Sequence, residues 1–405
     1  MLGMNITMRR RLRRATLLLP ASLLLLLPAC GNFSVTPARD IFEEGSVAPA
    51  RLAFAGELPV AQVSGTPDQM GAELGALAGK PARDLLSSWK LADFFRSIVE
   101  PSCAPTEELL KVVPEEYLRE IDALSRVAGI DSSDLLRANA VVDACACTAF
   151  VASGAATGGA PLLVGRNLDF APASVLGKNT LLVVYHPENA HAFVSIGWPG
   201  FAAVASGMND QGLCAFILIN SAAKPRGAGI PLGFCLRRIL ERCSNVEEAR
   251  ALFHADPPAS GHFLFLADPR TAACVSRDTE DRLLQDDLLT CTNGRVDPDT
   301  NAQDDQRSRC VKALLRETRG SIDVDTARSI LAATRLRLEN THAMVLEPEK
   351  RVLWLARGTT FAPAALGHWD RLELADALAG NGEVRATGMG PVNNCYRHWK
   401  DKEYR

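Results

Sequence analysis

The amino-acid sequence predicts an α+β protein in which helices cover both outer faces of a layered β-sandwich. Two features of the hydrophobic pattern lead to this prediction. Apolar residues between positions 65 and 138 recur with the 3.6-residue period of amphipathic helices, whereas short apolar runs typical of strands begin after position 147. Two blocks of helical periodicity then separate further strands, and this order of elements is typical of a layered α+β fold.

The chain before position 147 is expected to be mostly helical. Helical periodicity covers four stretches, at 70–77, 82–95, 106–113 and 115–128. Polar capping residues at 131–134 begin a further helix. Residues 30–58 contain scattered Pro, Ala and Gly and are interpreted as a linker. We therefore predict a linker over 30–58 and a helical segment over 59–146.

After position 147 the sequence predicts short strands separated by two pairs of helices. The predicted strands cover residues 148–153, 161–166, 180–186, 192–197, 213–219, 262–267, 272–276, 287–292, 344–347 and 352–356. The predicted helices cover residues 231–243, 244–253, 307–318 and 324–333.

Composition and charge limit the number of domains and exclude one class of partner. With 405 residues, 47% hydrophobic and 22% charged, the chain is long enough for one large domain, or for one domain with a substantial extra segment. The net charge of −3 provides no basic surface for nucleic acid, so we expect no nucleic-acid partner.

Residues 1–29 have the pattern of a bacterial lipoprotein signal peptide. Five arginines between positions 9 and 14 precede an apolar stretch that is too short to span a bilayer. The following sequence, LPACGN, resembles a lipobox, in which Cys30 is lipidated and becomes the mature N-terminus. A plain secretory signal and a twin-arginine signal are the alternatives, and both also export the chain. We expect an exported lipoprotein, anchored by lipid to a membrane and facing the periplasm or the cell exterior.

The chain has eleven cysteines, which in an exported protein suggests disulfides. Apart from Cys30 and Cys147, several of them lie in apolar runs, where a cysteine behaves as a small hydrophobic residue. No CxxC pair occurs, and the seven histidines show no ligand spacing with the cysteines. We therefore expect neither a metal nor a cofactor, while the disulfide connectivity stays open.

The candidate catalytic residues lie in two adjacent predicted strands. The run CTAFVA begins at Cys147, and after a Gly-rich turn the run VGRNLDF contains Arg166 and Asp169. A hairpin would bring the cysteine at the start of one strand close to the polar residues at the end of the next. A nearby arginine favours the thiolate, which is the nucleophilic form of a cysteine. An α-amine on Cys147 could carry the proton, but it exists only if the bond between Ala146 and Cys147 is cut.

This string resembles the N-terminal-nucleophile cysteine hydrolases of the superfamily that includes isopenicillin N acyltransferases, choloylglycine hydrolases and acid ceramidases. The resemblance implies a four-layer αββα sandwich and autoproteolysis between Ala146 and Cys147, with residues 147–405 as the catalytic β-chain. It also implies that Asp169 orients the new amine. Cys145 is a rival nucleophile with a poorer spacing to Arg166. A buried small residue at the start of a strand is the alternative for Cys147 considered by itself.

The resemblance suggests further site residues. Asn293, in the run CTNG, matches an oxyanion-hole amide, although a simple Asn-Gly turn would also explain it. Asn220 is a second candidate oxyanion donor and lies one place beyond the strict register, which Ile219 occupies. Arg309 is the best match for a second active-site arginine. Arg307 competes with it, and a solvated helix charge is the alternative for both.

The implied activity is cleavage or transfer of the acyl group of a non-peptide carbon–nitrogen amide through a thioester. The expected partner is a small-molecule acyl amide, and the cleaved segments are expected to stay associated. Hydrolysis and acyl transfer cannot be separated, because both pass through one thioester. A non-catalytic lipoprotein binding module is the alternative function. A papain-type protease would need a histidine base, and no histidine lies in a recognisable motif.

Overall fold

The structure is a computed structural model that describes residues 38–88, 106–140, 146–220, 229–294, 305–336, 339–359, 362–392 and 396. The predicted signal peptide, the lipobox cysteine Cys30 and the rival nucleophile Cys145 lie outside these residues. In the part described, two β-sheets pack face to face, and helices cover their outer faces. The predicted α+β fold with four layers is therefore confirmed.

One sheet has ten strands. In spatial order they are β1 (Gly45–Val47), β2 (Ala50–Ala55), β3 (Leu58–Gly65), β6 (Leu181–Pro187), β7 (Phe193–Gly197), β8 (Ser206–Asn209), β9 (Cys214–Leu218), β10 (Phe263–Ala267), β11 (Ala272–Ser276) and β12 (Thr279–Leu283). Strand β3 pairs with β6 in parallel, and the other neighbouring strands pair antiparallel.

The second sheet has seven antiparallel strands. Their spatial order is β13 (Leu288–Thr292), β4 (Ala146–Ala152), β5 (Leu163–Asp169), β14 (Asn340–Glu347), β15 (Val352–Arg357), β16 (Trp369–Glu373) and β17 (Arg385–Met389). One face of each strand packs toward the ten-stranded sheet, because successive side chains of a strand point to opposite faces.

The helices form the two outer layers. They are α1 (Pro67–Leu86), α2 (Thr106–Val112), α3 (Glu115–Ala128), α4 (Ser132–Ala140), α5 (Ala173–Leu176), α6 (Leu232–Arg242), α7 (Val246–Ala255), α8 (Gln306–Glu317), α9 (Val324–Thr334) and α10 (Ala375–Leu378). Helices α1, α6 and α7 pack on the ten-stranded sheet, whereas α8 and α9 pack on the seven-stranded sheet. Within the described ranges, no helix combines the length and the apolar character needed to cross a membrane.

Helices α1 and α3 lie unusually close together, because a glycine stripe on α1 faces α3. A Cβ atom added at Gly71 would collide with the carbonyl oxygen of Glu120, and one at Gly75 would lie 2.8 Å from Cβ of Val127. Glycine therefore removes the side-chain volume that would hold the two helices apart.

The predicted linker over 30–58 is wrong from Gly45 onward, because strands β1 to β3 begin there and join the ten-stranded sheet. Their Ala- and Pro-containing sequence has weak strand propensity, but β3 gains its stability from pairing with β6. Four further strands, β8, β12, β16 and β17, were also not predicted. Each has five residues or fewer, and pairing with a neighbouring strand supports each of them.

Candidate active site

The hairpin of β4 and β5 positions the candidate catalytic side chains. Its register pairs Cys147 with Leu168 and Ala149 with Arg166. These four side chains therefore share the face that packs toward the ten-stranded sheet. Asp169 is on the opposite face of β5, where it meets helix α8. The hairpin thus brings Cys147 and Arg166 together, as predicted, and places Asp169 behind them.

The thiol of Cys147 lies between the two sheets and is fully buried. Its Sγ atom is 3.3 Å from the carbonyl oxygen of Ile217 on β9. Burial raises the pKa of the Cys147 thiol, and the positive charge of Arg166 offsets only part of this effect. The cysteine is therefore held as a thiol, and a base must remove its proton before it can act as a nucleophile.

Arg166 is a fixed cation beside this thiol. Its Nη1 donates to the same Ile217 carbonyl oxygen at 2.9 Å, and its Nε donates to Ser206 Oγ at 2.9 Å. The guanidinium carbon also lies 5.2 Å from the centre of the Phe216 ring. Arg166 is fully buried, so these contacts hold its charge in one place.

The backbone nitrogen of Cys147 faces a polar cluster. Its N–H donates to Asn293 Oδ1 at 2.5 Å, and Arg307 Nη2 donates to the same oxygen. Because two donors converge on this atom, it must be the amide oxygen of Asn293 rather than the nitrogen. The Asn293 Nδ2 group donates to the Ile219 carbonyl oxygen at 2.8 Å. Asn293 thus presents an acceptor to the atom that would become the α-amine, a contact that the oxyanion-hole prediction did not include.

Arg307 connects this cluster to Asp169. Its Nη1 lies 3.2 Å from Asp169 Oδ2, and both side chains are buried. Asp169 also accepts hydrogen bonds from Asn340 Nδ2 at 2.8 Å and from the Leu336 backbone at 3.2 Å. Burial raises the pKa of Asp169 to about 6, although Arg307 and Asn340 act in the opposite direction. The carboxyl group therefore titrates close to the neutral range.

The structure places Arg307 in this cluster, whereas the sequence favoured Arg309. Helix α8 begins at Gln306 with Asp305 as its N-cap, and this phase directs Arg307 toward the sheet. Residues two positions apart in a helix do not share a face, so Arg309 is directed away from the face that carries Arg307. Arg309 is half-buried, whereas Arg307 is buried. Sequence alone did not distinguish the two arginines, because the start of the helix was uncertain by one position.

The described contacts of Asn220 involve a neighbouring segment. Its Nδ2 donates to the Gly261 carbonyl oxygen at 3.1 Å, and its backbone N–H donates to His262 Nδ1 at 3.1 Å. Ile219, which holds the strict register, contributes the carbonyl that orients Asn293.

Three groups of the cluster were not indicated by the sequence, namely Ser206, Asn340 and the Ile217 carbonyl. Ser206 and Ile217 lie on the opposite sheet, so nothing in the β4–β5 motif could indicate them. Asn340 is the first residue of strand β14. It lies before the predicted start of that strand, and this position was the sequence signal that could have indicated it. Across the described ranges, no group of three or more His, Cys, Asp or Glu side chains is placed to hold a metal ion.

Comparison with known proteins identifies relatives of this chain. Residues 156–315 match the model of a family described as acyl-coenzyme A:6-aminopenicillanic acid acyl-transferase. Protein dcd1A of Dictyostelium discoideum is 25% identical over 279 residues, a match that covers 62% of this chain and 63% of that protein. An uncharacterized protein of Archaeoglobus fulgidus is 25% identical over 229 residues, covering 46% of this chain and 37% of that protein. The chain therefore spans less than two thirds of the length of these relatives.

Solved structures with some similarity have lower sequence identity. An N-acylethanolamine-hydrolyzing acid amidase ortholog of Caenorhabditis elegans is 19% identical, with a TM-score of 0.39, over 50% of this chain and 93% of that one. The penicillin V acylase of Agrobacterium tumefaciens is 14% identical, with a TM-score of 0.37, over 64% of this chain and 98% of that one.

The two packed sheets and the outer helices form the four-layer αββα arrangement that the resemblance implied, with Cys147 on the first strand of the hairpin. The family match confirms the relationship predicted from the sequence. Over residues 156–315 the chain is thus similar to an acyltransferase family.

Proposed function

We propose that the protein is a self-processed cysteine amidase or acyltransferase that acts on a non-peptide amide with an apolar acyl group. The observation that supports this most is the environment of Cys147. Its thiol lies beside the fixed charge of Arg166, and its backbone nitrogen donates to Asn293 within a buried polar cluster. The backbone N–H of a strand residue that served only for packing would ordinarily donate to a carbonyl of a neighbouring strand, whereas that of Cys147 donates to a side-chain amide oxygen.

Processing begins when Cys147 Sγ attacks the carbonyl carbon of Ala146. The peptide C–N bond breaks, a thioester forms, and the nitrogen of Cys147 takes up a proton as it leaves. Water then hydrolyses the thioester, which releases a carboxylate on Ala146 and regenerates the thiol. The products are a new carboxyl terminus and a Cys147 with a free α-amine, which is the base that the buried thiol requires.

In the processed enzyme the α-amine of Cys147 takes the thiol proton, and the thiolate attacks the substrate carbonyl. Asn293 Oδ1 orients the amine, while Arg166 favours the anionic sulfur. Asp169 holds Arg307 against Asn293 and so acts on the amine through two side chains. The amine then protonates the leaving nitrogen, and water or an acceptor molecule resolves the acyl-thioester. Asn293 Nδ2 and Asn220 are the predicted oxyanion donors.

The two fragments stay associated after cleavage, because residues on both sides of the cut share one sheet and one buried ion cluster. Strand β3 pairs with β6 from Val60 to Gly65. Arg237 of α6 donates from Nη1 and Nη2 to the two carboxylate oxygens of Glu120 on α3, at 2.8 and 2.6 Å. Both of these side chains are almost completely buried.

The test of the proposal uses the purified mature chain. Intact mass and N-terminal sequencing should show two fragments, the larger of which begins at Cys147. The Cys147→Ala variant should remain uncut and inactive toward a library of small N-acyl amides. The Cys235→Ala variant should be cut and active, because this second buried cysteine lies in helix α6. Normal amidase activity of Cys147→Ala, or full activity of an uncut wild-type chain, would contradict the mechanism.

Two further measurements address the alternative function and the location. A non-catalytic binding module would leave the thiol inert, so the processed enzyme should lose activity on alkylation of Cys147 at neutral pH.

We also propose that Cys30 carries the lipid anchor, and Cys30→Ala should then release active enzyme from membranes. A wild-type protein found wholly in the soluble fraction would argue for ordinary secretion instead.

A further inference from the structure

Two buried cysteines face each other across the space between the two sheets. Cys274 lies on β11 of the ten-stranded sheet, and Cys291 lies on β13 of the seven-stranded sheet. Their Sγ atoms are 3.1 Å apart, and both residues are at most 1% exposed. The two sulfur atoms would have to move about 1 Å closer to form a disulfide.

A single arginine contacts both sulfurs. Arg282 lies on β12 directly opposite Cys274, and its Nη2 is 3.0 Å from Cys274 Sγ and 3.1 Å from Cys291 Sγ. Burial by itself raises the pKa of the Cys274 thiol, but its contact with Cys291 and the charge of Arg282 outweigh burial and lower that pKa. The Arg282 side chain itself is half-buried.

We propose that Cys274 and Cys291 form a disulfide that joins the two sheets beside the active site, with Arg282 stabilising the thiolate that starts the reaction. The site goes beyond the amidase function and does not depend on it. The pair lies next to the active-site segment, because Cys291 pairs with Ala149, which in turn pairs with Arg166. Asn293 follows Cys291 by two positions.

The reaction needs an external disulfide as the oxidant, such as glutathione disulfide. The Cys274 thiolate attacks one sulfur of that molecule, which releases one glutathione and leaves a mixed disulfide on Cys274. The Cys291 sulfur then attacks the Cys274 sulfur, so that the second glutathione leaves. Two protein thiols are oxidised to one disulfide, the oxidant is reduced to two thiols, and the two cysteine protons pass to the two glutathione molecules.

The disulfide would fix the edge strand that carries the oxyanion and amine-binding segment. Strand β13 is at one edge of its sheet, so it has a neighbour on only one side. A covalent bond from Cys291 to β11 would restrain the position of Asn293 relative to the opposite sheet. It would also close a short loop and thereby constrain the unfolded chain.

The test is a peptide map of the wild-type protein after equilibration with an excess of glutathione disulfide, in buffer with and without mild denaturant. Free thiols are alkylated under denaturing conditions before digestion with trypsin. Residues 271–277 contain Cys274 and residues 283–295 contain Cys291, and neither predicted tryptic peptide has a second cysteine. The two peptides should be recovered as one cross-linked species. This species should be absent from Cys274→Ala and Cys291→Ala, but present in the control Cys214→Ala, whose cysteine is buried in β9.

Recovery of both peptides with alkylated cysteines, in native buffer and in mild denaturant, would overturn the proposal. A cross-link of either cysteine to a different one would overturn it as well. The Arg282→Gln variant should form the cross-link several-fold more slowly, and an unchanged rate would remove the role assigned to Arg282. The oxidised wild type should unfold at a temperature roughly a few degrees above the reduced form, a shift that Cys274→Ala should lack.

Discussion

Among the residues that the structure describes, two arginines are at most 1% exposed, and their surroundings differ. Arg237 donates to carboxylates of both Glu120 and Glu241 and lies within 4.9 Å of the Tyr117 ring centre. Arg166 instead donates to a hydroxyl and to backbone carbonyl oxygens, and it takes part in none of the salt bridges found among the described residues. The charge of Arg237 is thus neutralised by carboxylates, whereas the charge of Arg166 is not.

This difference separates a structural role from a functional one. A buried cation with two carboxylate partners has little remaining field with which to act on other groups. A buried cation held by neutral acceptors keeps its charge, and a nearby thiol experiences it. We therefore expect Arg237 to contribute stability and, under the proposed function, Arg166 to favour the thiolate of Cys147.

The largest expected effect is on stability. Replacing Arg237 by Met leaves Glu120 and Glu241 buried without a counter-charge, so we expect the free energy of unfolding to fall by about 3–5 kcal/mol. Chemical denaturation followed by fluorescence measures this change. The double variant Arg237→Met, Glu120→Gln should recover part of the loss. A single variant as stable as wild type would contradict the assignment.

The second prediction concerns catalysis. An opposite charge near a thiol typically shifts its pKa by about 1–3 units, so removing Arg166 should lower turnover by roughly 10- to 1,000-fold. The variant Arg166→Met retains part of the side-chain volume and should lower kcat far more than it raises KM. Steady-state kinetics on processed enzyme measures both constants. An equal change in substrate binding, with kcat kept, would mean that Arg166 only shapes the pocket.

The third prediction concerns pH. Because burial raises the pKa of Asp169 to about 6, the carboxylate that holds Arg307 is lost as the pH falls through that value. Activity should therefore decrease below about pH 6, and Asp169→Asn should be less active with this acidic limb removed. The pH–rate profiles of both proteins test this. An unchanged acidic limb in Asp169→Asn would assign the limb to another group.

The same pKa fixes the sign of a stability effect. The folded pKa of Asp169 lies above its ordinary value of 3.8, so the folded state binds more protons than the unfolded state between about pH 3.8 and 6. The contribution of this carboxyl to the free energy of unfolding therefore falls as the pH rises through that window. Asp169→Asn should remove this component from the pH dependence of unfolding.

The smallest expected effect distinguishes two neighbours on one helix. Arg307→Ala removes contacts with Asn293 and Asp169 and should lower kcat by at least roughly tenfold, because the amine of Cys147 loses its oriented acceptor. Arg309→Ala should change kcat by less than about twofold and serves as the matched control. The reverse order of the two effects would restore the assignment that the sequence favoured.

Features that depend on neighbouring residues could be predicted from the sequence, whereas features that depend on distant parts of the chain could not. The β4–β5 hairpin brings Cys147 and Arg166 together through neighbouring residues, and its sequence was sufficient to predict this. To predict the place of Arg307, one must know which face of helix α8 meets the sheet. That face depends on the residue at which the helix begins, which the N-cap at Asp305 determines within one residue. Ser206 and Ile217 approach from the other sheet, so their contacts with Arg166 arise only when the two sheets pack. Strands β1 to β3 depend on pairing with β6 in the same way.

The parallel pairing of β3 with β6 has a consequence for how the enzyme can be made. If the chain is cut before Cys147, the ten-stranded sheet consists of three strands from the first product and seven from the second. Synthesis as a single polypeptide then guarantees equal amounts of the two products. Strands β1 to β3 can also pair with the rest of the sheet within the same chain, before any cut. Two separately expressed genes would have to balance their output and find each other through an exposed sheet edge, which is a site prone to aggregation. Cleavage after folding would thus keep production stoichiometric while still releasing the amine.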